Sequence, residues 1–441
     1  MIIVSYVIGY IASYLFAASG HYYLSGAVLI LCAAALYAYD YVRTENLINL
    51  RGLFALFFVG GEGISCLKLS YLQTDWELQT WICFFLAFTG VWVSYELFSK
   101  GSQRHPEKKK ISDIPVLSIN ADRARIFIYI LSAVSLVAFL LEAFILGFVP
   151  LFTKGVPHAY SYFHISGVHY FTVSCVLIPA MSVIWFFEKF DLTKIRTVNK
   201  KEKTQIVTVA VCDLIALAIP LLCVSRMQFI FAVVFAIFTY IFNEKKKLPI
   251  KYILIAVAVL IAAFGLLTIA RSHDADYLNS IFEMKINLPV DISRIYIYIA
   301  NNYDNFNCLV RDLPAHTLGL RILFPLWALT GLKFLVPSLV NFPIYVTKEE
   351  LTTVTLFYDY YYDYGAAGVF IAALIIGIAA YLLEQYTVNR KAAGIIYSQI
   401  ALYAVLSFFT TWLSNPTTWF YFGVSIIFCI FISVKGKGVK N

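Results

Sequence analysis

Charged side chains are scarce in this chain: Asp, Glu, Lys and Arg make up 14% of its 441 residues, while 61% are hydrophobic. A soluble domain carries about 25% charged residues, and a chain this apolar has too little polar surface to cover a single core. That excludes a soluble enzyme, a disordered scaffold and a free nucleic-acid-binding module. Redox and zinc motifs are missing as well, since the eight cysteines form no Cys-x-x-Cys and no Cys/His cluster. The first apolar stretch lacks a basic leader and a small-x-small cleavage site, so it reads as a retained helix. No internal repeat of the kind that builds many transporters is found, and polar residues gather on one side of the predicted membrane.

What the sequence has instead is a series of apolar segments, with a mean hydropathy of +0.77. They fall near 2–18, 23–40, 51–71, 79–98, 126–147, 168–187, 205–223, 228–243, 252–269, 364–384, 393–413 and 418–434. A helix needs some 17–25 residues to cross about 30 Å of hydrocarbon. About 12 transmembrane helices are therefore predicted, forming one all-α polytopic membrane domain over residues 1–441. The segments are continuously apolar and lack the alternation of a membrane barrel strand.

Lys and Arg orient the chain. With both termini in the cytoplasm, 24 of the 34 basic residues fall in inside segments, nine fall outside and Lys68 lies within a span. Cytoplasmic loops attract such residues, so the net charge of +8 reads as a topology signal and not as a nucleic-acid patch. Of the cysteines, only Cys308 then sits in a sizeable outside loop.

Two outside segments stand out. Residues 148–167, FVPLFTKGVPHAYSYFHISG, form the smaller, and residues 271–363 form a much longer one; loops of that length are usually functional. Within it, Met284–Ala300 ends in SRIYIYIA and reads as a helix across or along the membrane interface. Leu318–Val340 is apolar, but Arg321, Pro325, Lys333 and Pro337 spoil a plain span, so an interfacial or re-entrant helix pair is expected. YDYYYD at 358–363 is an aromatic and acidic strip ahead of the next span. It reads either as a headgroup-level anchoring belt or as a surface that holds sugars.

Four outside arginines, Arg226, Arg271, Arg294 and Arg321, sit at helix ends where lipid-linked phosphate would be met. The guanidinium fork binds phosphate in two-point fashion at any working pH; snorkelling to the headgroups is the alternative, above all for Arg321. Glu62, Lys68, Glu142 and Asp213 are intramembrane charges. Structural ion pairs are the favoured reading, for example Lys68 with Glu142 or Asp213. Of the outside histidines, His316 and His273 rank highest as general bases near neutral pH. Asp304, within NNYDN, is the alternative base; its other role would be to orient Arg294. Asp359 and Asp363 read as ligands of sugar hydroxyls or as caps of the following helix.

GFVPLF at 147–152, SRMQFI at 225–230, RIYIYIANNYDNF at 294–306 and TLFYDYYYDYGAAGVFI at 355–371, with one long outside loop before the last three spans, carry a resemblance. The pattern resembles the Wzy-type oligosaccharide repeat-unit polymerases of O-antigen and capsule synthesis, within the O-antigen ligase and polymerase superfamily. It covers roughly the C-terminal two-thirds of the chain. HTLGL at 316–320 echoes only part of the histidine motif of the related ligases.

The resemblance implies an inverting, metal-independent glycosyltransferase of GT-C-like helical architecture, without cofactor, in the bacterial inner membrane. It would move a glycan from undecaprenyl pyrophosphate onto a lipid-linked repeat unit, alongside a chain-length regulator membrane protein. His316 or Asp304 would be the base. Arg226, Arg271, Arg294 and Arg321 would meet the pyrophosphate, and Tyr298, Asn302, Tyr358 and Asp359 would hold sugars. Asp274-Ala275-Asp276 is the chain's Asp-x-Asp, the pattern that holds a cation in metal-dependent transferases. Another polyprenol-dependent transferase or ligase is the first alternative, and a flippase of lipid-linked sugars comes after it.

Overall fold

The computed structural model describes residues 2–104, 117–153, 159–190, 199–244, 275–388 and 390–434. Among them, seven helices are long and apolar enough to cross a membrane: Tyr22–Thr44, Leu78–Gly101, Ala121–Leu146, Val168–Lys189, Lys200–Leu222, Arg226–Asn243 and Tyr358–Thr387. Ile2–Ala18 and Pro416–Ile432 are shorter apolar helices. The protein is thus all-α in character and multi-pass by the length and composition of its helices.

The remaining expected spans differ. The one near 252–269 lies outside the described residues. The one near 51–71 is broken into Leu50–Phe54, a π-helical turn at Ala55–Val59, and Gly60–Ser65. Gly60, Gly61 and Gly63 weaken this helix, and Lys68 then adopts a left-handed φ of 51°. The one near 393–413 has a helix of only 12 residues, Gly394–Val405.

The chain divides into two compact units. The first comprises Met1–Ile111, Asp274–Gln385 and Tyr403–Thr418. In it, small residues bring two long helices into backbone contact. A Cβ on Gly377 would lie 2.3 Å from the Val91 carbonyl oxygen, and one on Gly90 would lie 2.7 Å from the Ala373 Cβ. Close packing of this kind is how helices associate where no hydrophobic drive separates them from lipid.

The Val290–Asp312 helix is the polar axis of this unit, and every residue from Ala300 to Leu309 is buried. Its amides clamp an irregular strap at residues 345–355. Asn305 donates to the carbonyls of Leu351 (2.7 Å) and Thr353 (2.8 Å) and accepts from the Thr347 N–H (2.8 Å). Asn301 accepts from the Thr347 hydroxyl at 2.8 Å. A buried irregular segment needs such partners, because unpaired backbone groups are costly away from water.

The second unit comprises Ser112–His273, Tyr386–Leu402 and Trp419–Asn441. Its Val168–Lys189 span tightens to a 3-10 turn at Ser174–Leu177 before Pro179, as expected where proline removes one helical hydrogen bond. Lys200–Leu222 opens on a capping box between Asn199 and Glu202, and Ala121–Leu146 closes on Gly147 at φ 74°.

Candidate functional site

The long loop folds back on the 358–365 strip within the first unit. Residues 316–323 form a turn that straddles the start of the Tyr358–Thr387 helix, and one carboxylate organises it. Asp363 accepts from the Ile322 N–H at 2.8 Å, the Arg321 N–H at 3.3 Å and the Thr317 hydroxyl. The Thr317 and Leu318 N–H groups donate back to the carbonyls of Tyr362 and Asp363. Asp363 therefore caps the 317–322 turn and not the helix that follows it.

This turn presents Arg321. Its Nε donates to Asp359 at 2.7 Å, and its guanidinium lies 4.5 Å from the Tyr362 ring centroid. The side chain is 17% exposed. Burial works against its charge, but the Asp359 carboxylate more than compensates and holds the guanidinium pKa above the ordinary arginine value. Among the described residues its two Nη groups make no hydrogen bond, so a rigid two-pronged donor edge is left for a ligand. Snorkelling does not account for an arginine fixed in this way by carboxylate and ring.

His316 is exposed. Its Nδ1 lies 3.2 Å from the Tyr362 carbonyl, and its ring meets Tyr361 edge-on at 5.9 Å. No carboxylate orients it among the described residues. Below it the helix breaks at Tyr364 and Gly365, the latter at φ 61°, ψ −151°, a region open in practice only to glycine. A Cβ on Gly365 would come within 3.1 Å of His316 Nε2. Gly365→Ala should cost about 1–3 kcal/mol through backbone strain, read as a lower melting temperature of the purified protein in detergent. Gly423→Ala, where a Cβ meets nothing within 4 Å, is the control and should leave the melt unchanged or slightly raised.

Several expected site residues turn out to be committed elsewhere. Asp304 does not orient Arg294 and is poorly suited to be a base. Its Oδ1 accepts from Lys68 (2.7 Å) and Trp76 (2.8 Å), and its Oδ2 from Gln73 (2.7 Å) and Ser65 (3.0 Å). These four donors occupy the lone pairs of both carboxylate oxygens and leave none for an incoming proton. Lys68 thus pairs with Asp304, not with Glu142 or Asp213 as the sequence suggested; Asp213 accepts from Ser182. Arg294 pairs with the exposed Asp291 at 3.2 Å.

Asn302 is fully buried, donating to the Tyr298 carbonyl and accepting from Thr353, each at 2.6 Å. Tyr298 packs edge-on against Phe409. Tyr358 is fully buried and bonds both backbone atoms of Tyr345. Asn302 and Tyr358 thus spend their polar groups within the protein, and of the sugar-binding set Asp359 and the Tyr358 ring, 5.7 Å from the guanidinium, reach the Arg321 cluster. Arg226 is buried at the start of a helix in the second unit. Arg271 and His273 lie outside the described residues.

One pairing was missed altogether. Glu142 of the second unit meets His169, a residue that stands in an unremarkable apolar context, VHYFTV. Glu142 itself, an isolated carboxylate inside an apolar helix, was the available signal. Set against family models, curated proteins and solved structures, the chain matches none of them.

Proposed function

We propose that the chain is a polyprenyl-pyrophosphate-dependent glycosyltransferase, a polymerase that extends surface glycan from lipid-linked repeat units. In this reading it is a GT-C-like protein of about twelve spans in the bacterial inner membrane, with both termini in the cytoplasm. Its substrate is undecaprenyl-pyrophosphate-linked oligosaccharide, and a chain-length regulator is its expected membrane partner. The observation that carries the proposal is Arg321. Its guanidinium is half-buried, locked through Nε and one ring face, and leaves its Nη edge open. Such an edge matches two adjacent phosphate oxygens, and it loses little freedom on binding because its geometry is already set. The neighbouring Tyr362 and Asp359 give the mixed aromatic and carboxylate surroundings that suit a sugar next to that phosphate.

Deleting the chain and sizing the surface glycan tests the proposal. Loss of a polymerase leaves single repeat units displayed, whereas loss of a flippase leaves none. Full-length glycan in the deletion strain refutes both.

A further inference from the structure

Glu62 stands between Gly61 and Gly63 in the broken span, within the first unit. The two glycines press backbone against neighbours on either side. A Cβ on Gly61 would lie 2.6 Å from the Tyr303 hydroxyl, and one on Gly63 would lie 2.9 Å from the Gly26 carbonyl oxygen. Glu62 itself is completely buried and reaches the Ile2–Ala18 helix, its Oε1 lying 2.8 Å from the Tyr10 hydroxyl.

The same Tyr10 hydroxyl lies 2.7 Å from the Trp81 carbonyl oxygen. A phenol has one proton to give, and a carbonyl oxygen can only accept. With Glu62 ionised, that single proton has to serve two acceptors at once. With a proton on Glu62 the chain closes: Oε1–H donates to the Tyr10 oxygen, and the Tyr10 O–H donates to Trp81. The second carboxyl oxygen leads to the same assignment. Among the described residues Oε2 has no hydrogen-bond partner. Burying half of a charge unpaired is very costly, whereas the carbonyl oxygen of a neutral acid carries a far smaller penalty.

Nor does a cation offset the charge. An ion pair was the expectation for Glu62, yet Lys68, further along the same segment, is spent on Asp304. The titratable side chains that face Glu62 are Tyr6 and Tyr10 of the Ile2–Ala18 helix, Cys66 of its own segment and Tyr303 of the Val290–Asp312 helix. Tyr22–Thr44 adds Cys32 beside Tyr6, and Leu78–Arg104 adds the Trp81 carbonyl. The charges closest to the group, Lys68 and Asp304, flank Cys66 and neutralise each other.

We infer that Glu62 is a proton-binding site: the fold holds it as a neutral acid, and its proton closes a clasp between the Ile2–Ala18 helix and the broken span. The clasp follows directly on the π-helical turn at Ala55–Val59, a distortion that recurs at functional positions. Ionisation leaves an anion without a counter-charge and two acceptors for one phenol proton, so the clasp opens as the proton is lost. This inference stands independently of the glycosyltransferase reading.

Equilibrium unfolding of the full-length protein in mixed detergent micelles, from about pH 5 to about pH 8, tests it against the ordinary glutamate pKa of about 4.3. The unfolded chain releases the Glu62 proton near that value, while the fold retains it. The stability supplied by the neutral acid is therefore complete below that value and is lost as pH rises above it. The folded-to-unfolded ratio should fall by about tenfold per pH unit relative to Glu62→Gln, whose amide keeps one donor and one acceptor in the same shape but cannot ionise. In infrared spectra near neutral pH, the carbonyl stretch of a protonated carboxyl should be present in the wild type and missing from Glu62→Gln. Tyr10→Phe should shift that band, because the acid proton loses its acceptor; this readout serves even where Glu62→Gln does not fold. A stability difference that stays flat with pH, or a wild-type spectrum without a carboxyl band that responds to Tyr10→Phe, overturns the inference.

Discussion

Replacing Asp304 with Leu while Lys68 remains should leave little folded protein. The carboxylate is 1% exposed and the ammonium 6%, and the same ammonium lies 4.4 Å from the Trp76 ring centroid. Removing one partner of a buried ion pair typically costs about 3–5 kcal/mol, because the other charge is stranded. Here the loss extends further, since Gln73, Ser65 and Trp76 each lose an acceptor as well, and every orphaned buried donor carries its own desolvation cost. Lys68→Met in the Asp304→Leu background should recover much of the deficit. Thermal unfolding of the four members of this cycle in detergent measures the coupling. If the double variant is no better than Asp304→Leu alone, the pair is not what holds residues 65–76 to the Val290–Asp312 helix.

Arg321→Lys should abolish or nearly abolish polymer formation while expression and melting temperature stay close to those of the wild type. Lysine keeps the positive charge but is a point donor, so it cannot hold Asp359 and still offer two parallel N–H groups to a phosphate. Removing one preorganised donor at a developing negative charge typically costs about 10²–10³-fold in kcat. Asp359→Asn should be milder, because an amide oxygen still accepts from Nε. The readout is glycan length in cells complemented with each variant. Wild-type lengths with Arg321→Lys would remove the fork from the mechanism and with it the main support for the proposed activity.

How far these features could be read from sequence depended on the distance over which they act. The apolar helices were legible because crossing hydrocarbon demands a long local run, and seven of them appear where composition put them. The break at 50–65 was not, since an apolar run does not reveal that Gly60–Ser65 would end short of Lys68. The short helices at Phe324–Leu329 and Leu332–Leu335 are separated by Gly331 at φ 79°, while Pro325 opens the first and Pro337 stops the second. Partner choice was the weakest point. Lys68 and Asp304 are 236 positions apart, and no pattern in the chain links CLKLSYLQTDW to NNYDN. For the same reason Asn302 looked like a sugar ligand: an amide that clamps backbone and an amide that binds hydroxyls are the same residue in a sequence. Arg321 and Asp359 were both singled out, but their joining needed the turn that Asp363 organises.

The strap at 345–355 is gripped by Asn301 and Asn305 largely through its own main chain: the Leu351 and Thr353 carbonyls and the Thr347 amide. Main-chain atoms are common to all residue types, so most of the strap can change its side chains without loosening that grip. Glu349, Glu350 and Thr352 are exposed and contribute nothing to it. A lineage carrying this chain can therefore rewrite the outward text of the strap while its position holds.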